Sequence, residues 1–144
     1  MKKEFIETWI KMELLRNRQI DKEKIKSMIN SAEINARVAG QIKINEETAT
    51  LIFREIYESI RQLGDIKWWL LGYEPSNHEI SLEILKEFDI KEKIKLNSLY
   101  RFKKIRHDAN YRGIIVLSAQ AEEIIEFWNK CCLDIISILN KKLQ

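Results

Sequence analysis

A chain of 144 residues has room for one hydrophobic core and not for two of useful size. Four glycines and a single proline supply little turn chemistry for a many-stranded sheet, whereas 45% hydrophobic and 33% charged residues suit amphipathic helices. The net charge of +3 is mild, and lysines are interleaved with glutamates in runs such as KEFDIKEK, so only local clustering can argue for a nucleic-acid partner.

Phe5 to about Asn17 is expected to form a helical arm, within residues 1–20, that carries Phe5, Trp9 and Met12 on one side. Asp21 is a natural cap for the next helix, where Ile25, Met28, Ile29, Ala32, Ala36 and Ala39 recur at three- and four-residue steps. Its small residues admit a close neighbour, and Gly40 lies near its end. Asn45 caps a long helix reaching Leu71, with Glu46 and Glu47 at its positive end. Leu51, Ile52, Ile56, Ile60 and Leu63 form its buried stripe, continued by the cluster Trp68 to Leu71. Gly64 costs about 1 kcal/mol relative to Ala inside a helix, which predicts a close packing contact there. Arg61 and Asp65 form an i,i+4 pair, read as structural. Trp68 and Trp69 cannot share a helix face, so one is assigned to the core and the other to a neighbouring element or a dimer surface.

Pro75 breaks the helix at GYEPSNHE, and Ser76 or Asn77 caps a short helix through Ile80, Ile84, Leu85 and Phe88. His78 is read as a loop or capping residue rather than a ligand. Lys91 to Lys95 forms a connector, Asn97 or Ser98 caps a helix from Leu99, and Gly113 ends it. After the apolar patch Ile114 to Leu117, Ser118 caps a final helix from Ala119 toward Lys141, with Ile124, Phe127, Trp128, Cys131, Ile135 and Ile138 as its inner stripe. Cys131 and Cys132 match no zinc or redox spacing and are expected to be buried small hydrophobes. The expected fold is all-α, a single domain over residues 1–144 built as an antiparallel bundle of four principal helices with additional short helices. Charges in MKKEFIETW and the lack of any window near 18 apolar residues lead to the expectation of a cytoplasmic protein without a membrane span.

Chemistry concentrates in LYRFKKIRHDANYRG, Leu99 to Gly113. Five cations, Arg101, Lys103, Lys104, Arg106 and Arg112, surround His107, with Asp108, Asn110 and Tyr111 beside it. An Arg fork grips phosphate oxygens in pairs, and an imidazole moves protons near neutrality. Together they suit RNA transesterification, which needs no metal, and no cofactor or metal cluster is implied. The plainer reading is a solvated helix face whose His107 hydrogen-bonds across the bundle and whose Tyr111 is a core or interface aromatic.

IYESIRQLGDIKWWLLGYEPSNHEISLEIL, followed by LYRFKKIRHDANYRG and an apolar closing helix, resembles the HEPN superfamily, especially its small prokaryotic members, from about Asp21 to the end. The resemblance implies a helical bundle that forms a homodimer across its motif helices, and metal-independent RNase activity in many members. The family's motif is an Arg, a polar residue, three further positions, then His. Laid on this chain, Arg106 is the Arg and His107 the polar residue, but Tyr111 stands where the His is expected. A phenol is a poor substitute for imidazole at neutral pH, so this register implies a degenerate catalytic motif. A looser register, Arg101 followed by five residues and His107, restores a His, although RHDANYRG fits the first one better.

The expectation is therefore an RNA- or nucleotide-binding protein with Arg106, His107 and Tyr111 as the catalytic set and Arg101, Asp108, Asn110 and Arg112 as binding residues. Any cleavage would use His107 for proton transfer and Arg106 or Arg101 for phosphate charge. Single-stranded RNA, stacking on Tyr100 or Tyr111, is the expected substrate. The resemblance also implies a nucleotidyltransferase partner, with this chain as the toxin-type member. The alternative is a non-enzymatic helical dimerisation or protein-interaction module.

Overall fold

A computed structural model describes residues 2–144, and helices dominate it. Helix α1 spans Lys3–Lys11 and α2 Lys22–Gly40, followed by α3 at Ala49–Leu70, α4 at His78–Leu85 and α5 at Leu99–Tyr111. A 3₁₀ segment, Lys93–Ser98, runs directly into α5. The last rod consists of α6, Ser118–Phe127, a π-helical turn at Trp128–Cys132, and α7, Leu133–Lys142. No described helix is long and apolar enough to cross a membrane.

The fold is arranged around α3, which touches α2, α4, α5, α6 and α7. Ala32, Ala36 and Ala39 bring α2 against it, and all three are buried. Gly64 does the same for α4, because a Cβ there would lie 2.0 Å from the Ser81 carbonyl oxygen. From α5, Leu99 and Phe102 enter the core, where the Phe102 ring meets Phe53 and Phe127 edge-on at 5.8 and 5.2 Å. Burying a Phe side chain contributes about 2 kcal/mol, so this trio anchors the helix that carries the candidate site.

The N-terminal arm departs from the expected single helix. It stops at Lys11 because Glu13 takes a left-handed φ of 61°. The Leu14 amide then donates to the Trp9 carbonyl and the Glu13 amide to that of Ile10, which closes the helix end in the way a glycine usually does. Leu15–Asn17 emerges as strand β1 and pairs antiparallel with β2, Tyr73–Pro75, in the register Leu15 to Pro75 and Asn17 to Tyr73. Of Phe5, Trp9 and Met12, expected together on one side of the arm, Phe5 and Met12 are exposed. The arm is fastened by a separate apolar cluster of Leu15, Trp68, Ile80 and Ile84 with Ile6, Trp9 and Ile10. Trp68 and Trp69 divide as the helix geometry demands. Trp69 packs in the main core, and Trp68 stands under the arm, 5.8 Å from Trp9, its Nε1 donating to the Ile80 carbonyl.

Asp21 caps α2 by accepting from the Lys24 amide, and Asn77 caps α4 by accepting from that of Glu79. Asn45 and Thr48 cap each other reciprocally, so the regular part of α3 begins only at Ala49. Leu51, assigned to the buried stripe, faces outward. No side chain caps α5, which continues the 3₁₀ turn whose Leu99 amide donates to the Leu96 carbonyl, and at the start of α6 the Leu117 amide donates to the Gln120 side chain, with no cap from Ser118. Gly113 ends α5 at φ 66°, with the Ile114 amide turned back to the Asp108 carbonyl. Cys131 and Cys132 are buried and unbridged, and burial pushes the Cys131 thiol up to about 11. Their π turn shifts the inner stripe of the last rod, so Leu139 is buried and Ile138 only partly.

Candidate functional site

Helices α4 and α5 both lean on α3, and a cleft of about 340 Å³ opens between them, lined by Tyr57, His78, Tyr100, Lys103, Lys104, Arg106 and His107. That volume lies at the lower end of the roughly 300–1,000 Å³ of small-ligand sites. Tyr57 of α3 forms its floor. The hydroxyl is pushed up to about 12, because burial outweighs the pull of Arg106 and Arg61, so it stays a hydrogen-bond donor. Over that ring stands Arg106, its guanidinium carbon 5.7 Å from the centroid. This cation–π contact does not use its N–H groups, which remain free for an anion.

The α4 side of the cleft is fixed to α5 by two polar contacts. Lys103 pairs with Glu79 at 3.0 Å, and the Tyr100 hydroxyl donates to Glu83 at 3.1 Å while the Lys86 ammonium lies 3.6 Å from its ring centroid. Among the described residues no ion pair neutralises Lys104 or Arg106, so the cleft keeps a net positive field.

Beneath His78 lies a polar layer of α3. Arg61 bonds both carboxylate oxygens of Glu58 and, at 2.6 Å, Asp65, and Asp65 accepts from the buried Ser81 hydroxyl of α4. The Arg61 hydrogen bonds hold Glu58 below the usual carboxylate range, whereas burial raises Asp65 despite its partners. His78 is pulled below the ordinary imidazole range by burial and by the Arg61 and Arg106 cations, with Glu58 and Asp65 opposing.

The expected site residues fall into two groups. Arg106 and His107 are brought together on the cleft, and Tyr111 lies next to His107 with ring centroids 4.9 Å apart, but outside the cleft and 70% exposed. The binding set lies elsewhere. Arg101 is clamped by both oxygens of Glu123 on α6, Asp108 pairs loosely with Arg112 at 3.8 Å, and Asn110 has an enclosed Oδ1 without a hydrogen-bond partner among the described residues. Arg101 is thereby tied to α6 and does not line the cleft that holds His107. The chain matches no protein-family model, no curated protein and no solved structure.

Tyr57, which the sequence did not single out, and His78, expected as a loop or capping residue rather than a ligand, complete the cleft. The only local signal was that His78 follows the capping Asn77, which puts it on the first turn of α4. A wider hollow of about 530 Å³ beside β1, lined by Ile10, Glu13, Leu15, Arg16 and Asn17, gathers no comparable set of cations or titratable groups. Among the described residues, no group of three or more His, Cys, Asp or Glu could hold a metal ion.

Proposed function

We propose that this chain is a HEPN-like, cytoplasmic protein, an antiparallel bundle of four principal helices, that pairs with a second copy and binds single-stranded RNA or a nucleotide phosphate in the cleft between α4 and α5. The observation that carries this is the Arg106 guanidinium over the Tyr57 ring with Lys104 and His107 beside it and no carboxylate pairing among the described residues. A phosphate dianion or diester would be held by the Arg106 fork and Lys104, while Tyr100 at the rim offers a ring for a base. The motif stays degenerate in this reading, with Tyr111 at the position of the family's His. A toxin-type role beside a nucleotidyltransferase partner belongs to the same proposal.

The exposed strip of Tyr111, Ile114, Ile115 and Leu117 is what a second copy would cover in this arrangement. The same strip favours the second reading, a non-enzymatic interaction module in which the α5 charges serve only solubility and packing.

Binding to a single-stranded RNA oligonucleotide, followed by fluorescence anisotropy, tests the first reading. With Lys104 and Arg106 each neutralising one phosphate, affinity falls roughly sevenfold between about 50 and about 200 mM salt. Arg106→Ala weakens binding and lowers the salt slope by about 0.7. Absent or salt-insensitive binding overturns the proposal.

A further inference from the structure

The cleft presents two polar groups that the fold itself leaves unanswered. Tyr57 lines it and is only 2% exposed, yet its hydroxyl has no hydrogen-bond partner among the described residues. Arg106, half-buried over the same ring, has no carboxylate partner among them either. Polar groups so enclosed are as a rule paired, which marks this spot as one built for an acceptor from outside. The neighbouring carboxylates do not fill that role, because each is engaged elsewhere. Glu58 is held by Arg61, Glu79 by Lys103, and Glu83 by Lys86 and the Tyr100 hydroxyl.

Resting on the reading of this cleft as a phosphate site, we infer that its ligand is a terminal phosphate monoester, on the end of an RNA strand or on a free nucleotide, rather than a phosphodiester inside a strand. The donors favour that class. The Arg106 fork and the Lys104 ammonium come from α5, and the Tyr57 hydroxyl rises from the floor on α3. A diester offers them a single charge and two non-bridging oxygens. A monoester offers a charge near −2 at neutral pH and three acceptor oxygens, enough for the guanidinium, the ammonium and the phenol together. Shape agrees with charge. The cleft holds about 340 Å³, and on the Tyr100 and Lys103 side of Arg106 its two walls are joined by the bonds to Glu83 and Glu79. A chain end can stop against that closed side, whereas a continuous strand has to pass it.

The full chain is titrated, by fluorescence anisotropy, with one RNA sequence in several forms: phosphorylated at the 5′ end, phosphorylated at the 3′ end, bare at both ends, and closed into a circle. The circle carries as many phosphates as a phosphorylated strand, so total charge is controlled. One of the phosphorylated strands is expected to bind about tenfold tighter than the bare strand and the circle, the worth of one added charge-assisted hydrogen bond. The matching nucleoside monophosphate is then added as competitor. Displacement identifies the free nucleotide as a sufficient ligand, and resistance identifies the strand end; either upholds the inference. Tyr57→Phe keeps the ring under Arg106, and because the hydroxyl is unpaired in the free protein the Tm is expected to stay at the wild-type value. The variant should bind the bare strand as wild type does and lose the preference for the phosphorylated end. Equal binding of the circle and both phosphorylated strands by wild type, or a preference untouched in Tyr57→Phe, overturns the inference and leaves the cleft standing as an RNA site. Failure of wild type to bind any of these forms, the nucleotide included, overturns both.

Discussion

Gly64→Ala lowers stability by about 2 kcal/mol, although alanine is the better helix former by about 1 kcal/mol. The loss comes from packing. The new methyl would lie 2.0 Å from the Ser81 carbonyl oxygen and 2.6 Å from its carbon, both backbone atoms, so no side-chain rotation relieves the clash. Helix α4 must retreat, and overpacking of this kind costs about 3 kcal/mol. Retreat also stretches the Ser81 hydroxyl away from Asp65 and carries His78 off the cleft wall. Thermal unfolding should show a Tm lower by roughly 8 °C for a domain of this size. RNA affinity should fall as well, although residue 64 is not part of the cleft. An unchanged or raised Tm would mean that α3 and α4 do not meet at this closeness.

Arg61→Leu costs more, about 3 kcal/mol at neutral pH, because it leaves a buried carboxylate without its cation. Arg61 and Asp65 side chains are only 15% and 16% exposed, so water screens the pair little. Burial already raises Asp65 above the ordinary carboxylate range, and removal of Arg61 raises it further. A folded-state pKa raised above the unfolded value gives a contribution that is present at low pH and lost as pH rises through the folded value. The deficit of Arg61→Leu therefore grows from acidic toward neutral pH. Urea unfolding at about pH 5 and about pH 8 should show the smaller gap between wild type and variant at the acidic end. An equal gap at both would show that Asp65 is not the uncompensated group.

Features set by neighbouring residues were readable from the chain alone. Asp21 as a cap, Gly64 as a contact point, Gly113 as the end of α5, and the adjacency of Arg106 and His107 each depend on spacings of a few residues. What escaped depends on partners far away in sequence. β1 and β2 are three residues each and pair across 56 to 60 residues of sequence, Asn17 with Tyr73 and Leu15 with Pro75, so no alternation long enough to detect exists. Arg101 reads as a free cation until Glu123 arrives from α6, 22 residues later. His78 reads as a loop residue until α5 folds over α4 and supplies the opposite wall. Glu13 is the reverse case, a residue with no turn signature placed at the left-handed position where a helix ends.

The central claim is that the cleft between α4 and α5 receives the phosphate of an RNA strand. A backbone-amide NMR titration with a short single-stranded RNA addresses it residue by residue. Shifts are expected to concentrate at His78 and from Tyr100 to His107, and to be lost in Arg106→Ala. Shifts confined to Tyr111–Leu117, or none at saturating RNA, would contradict it.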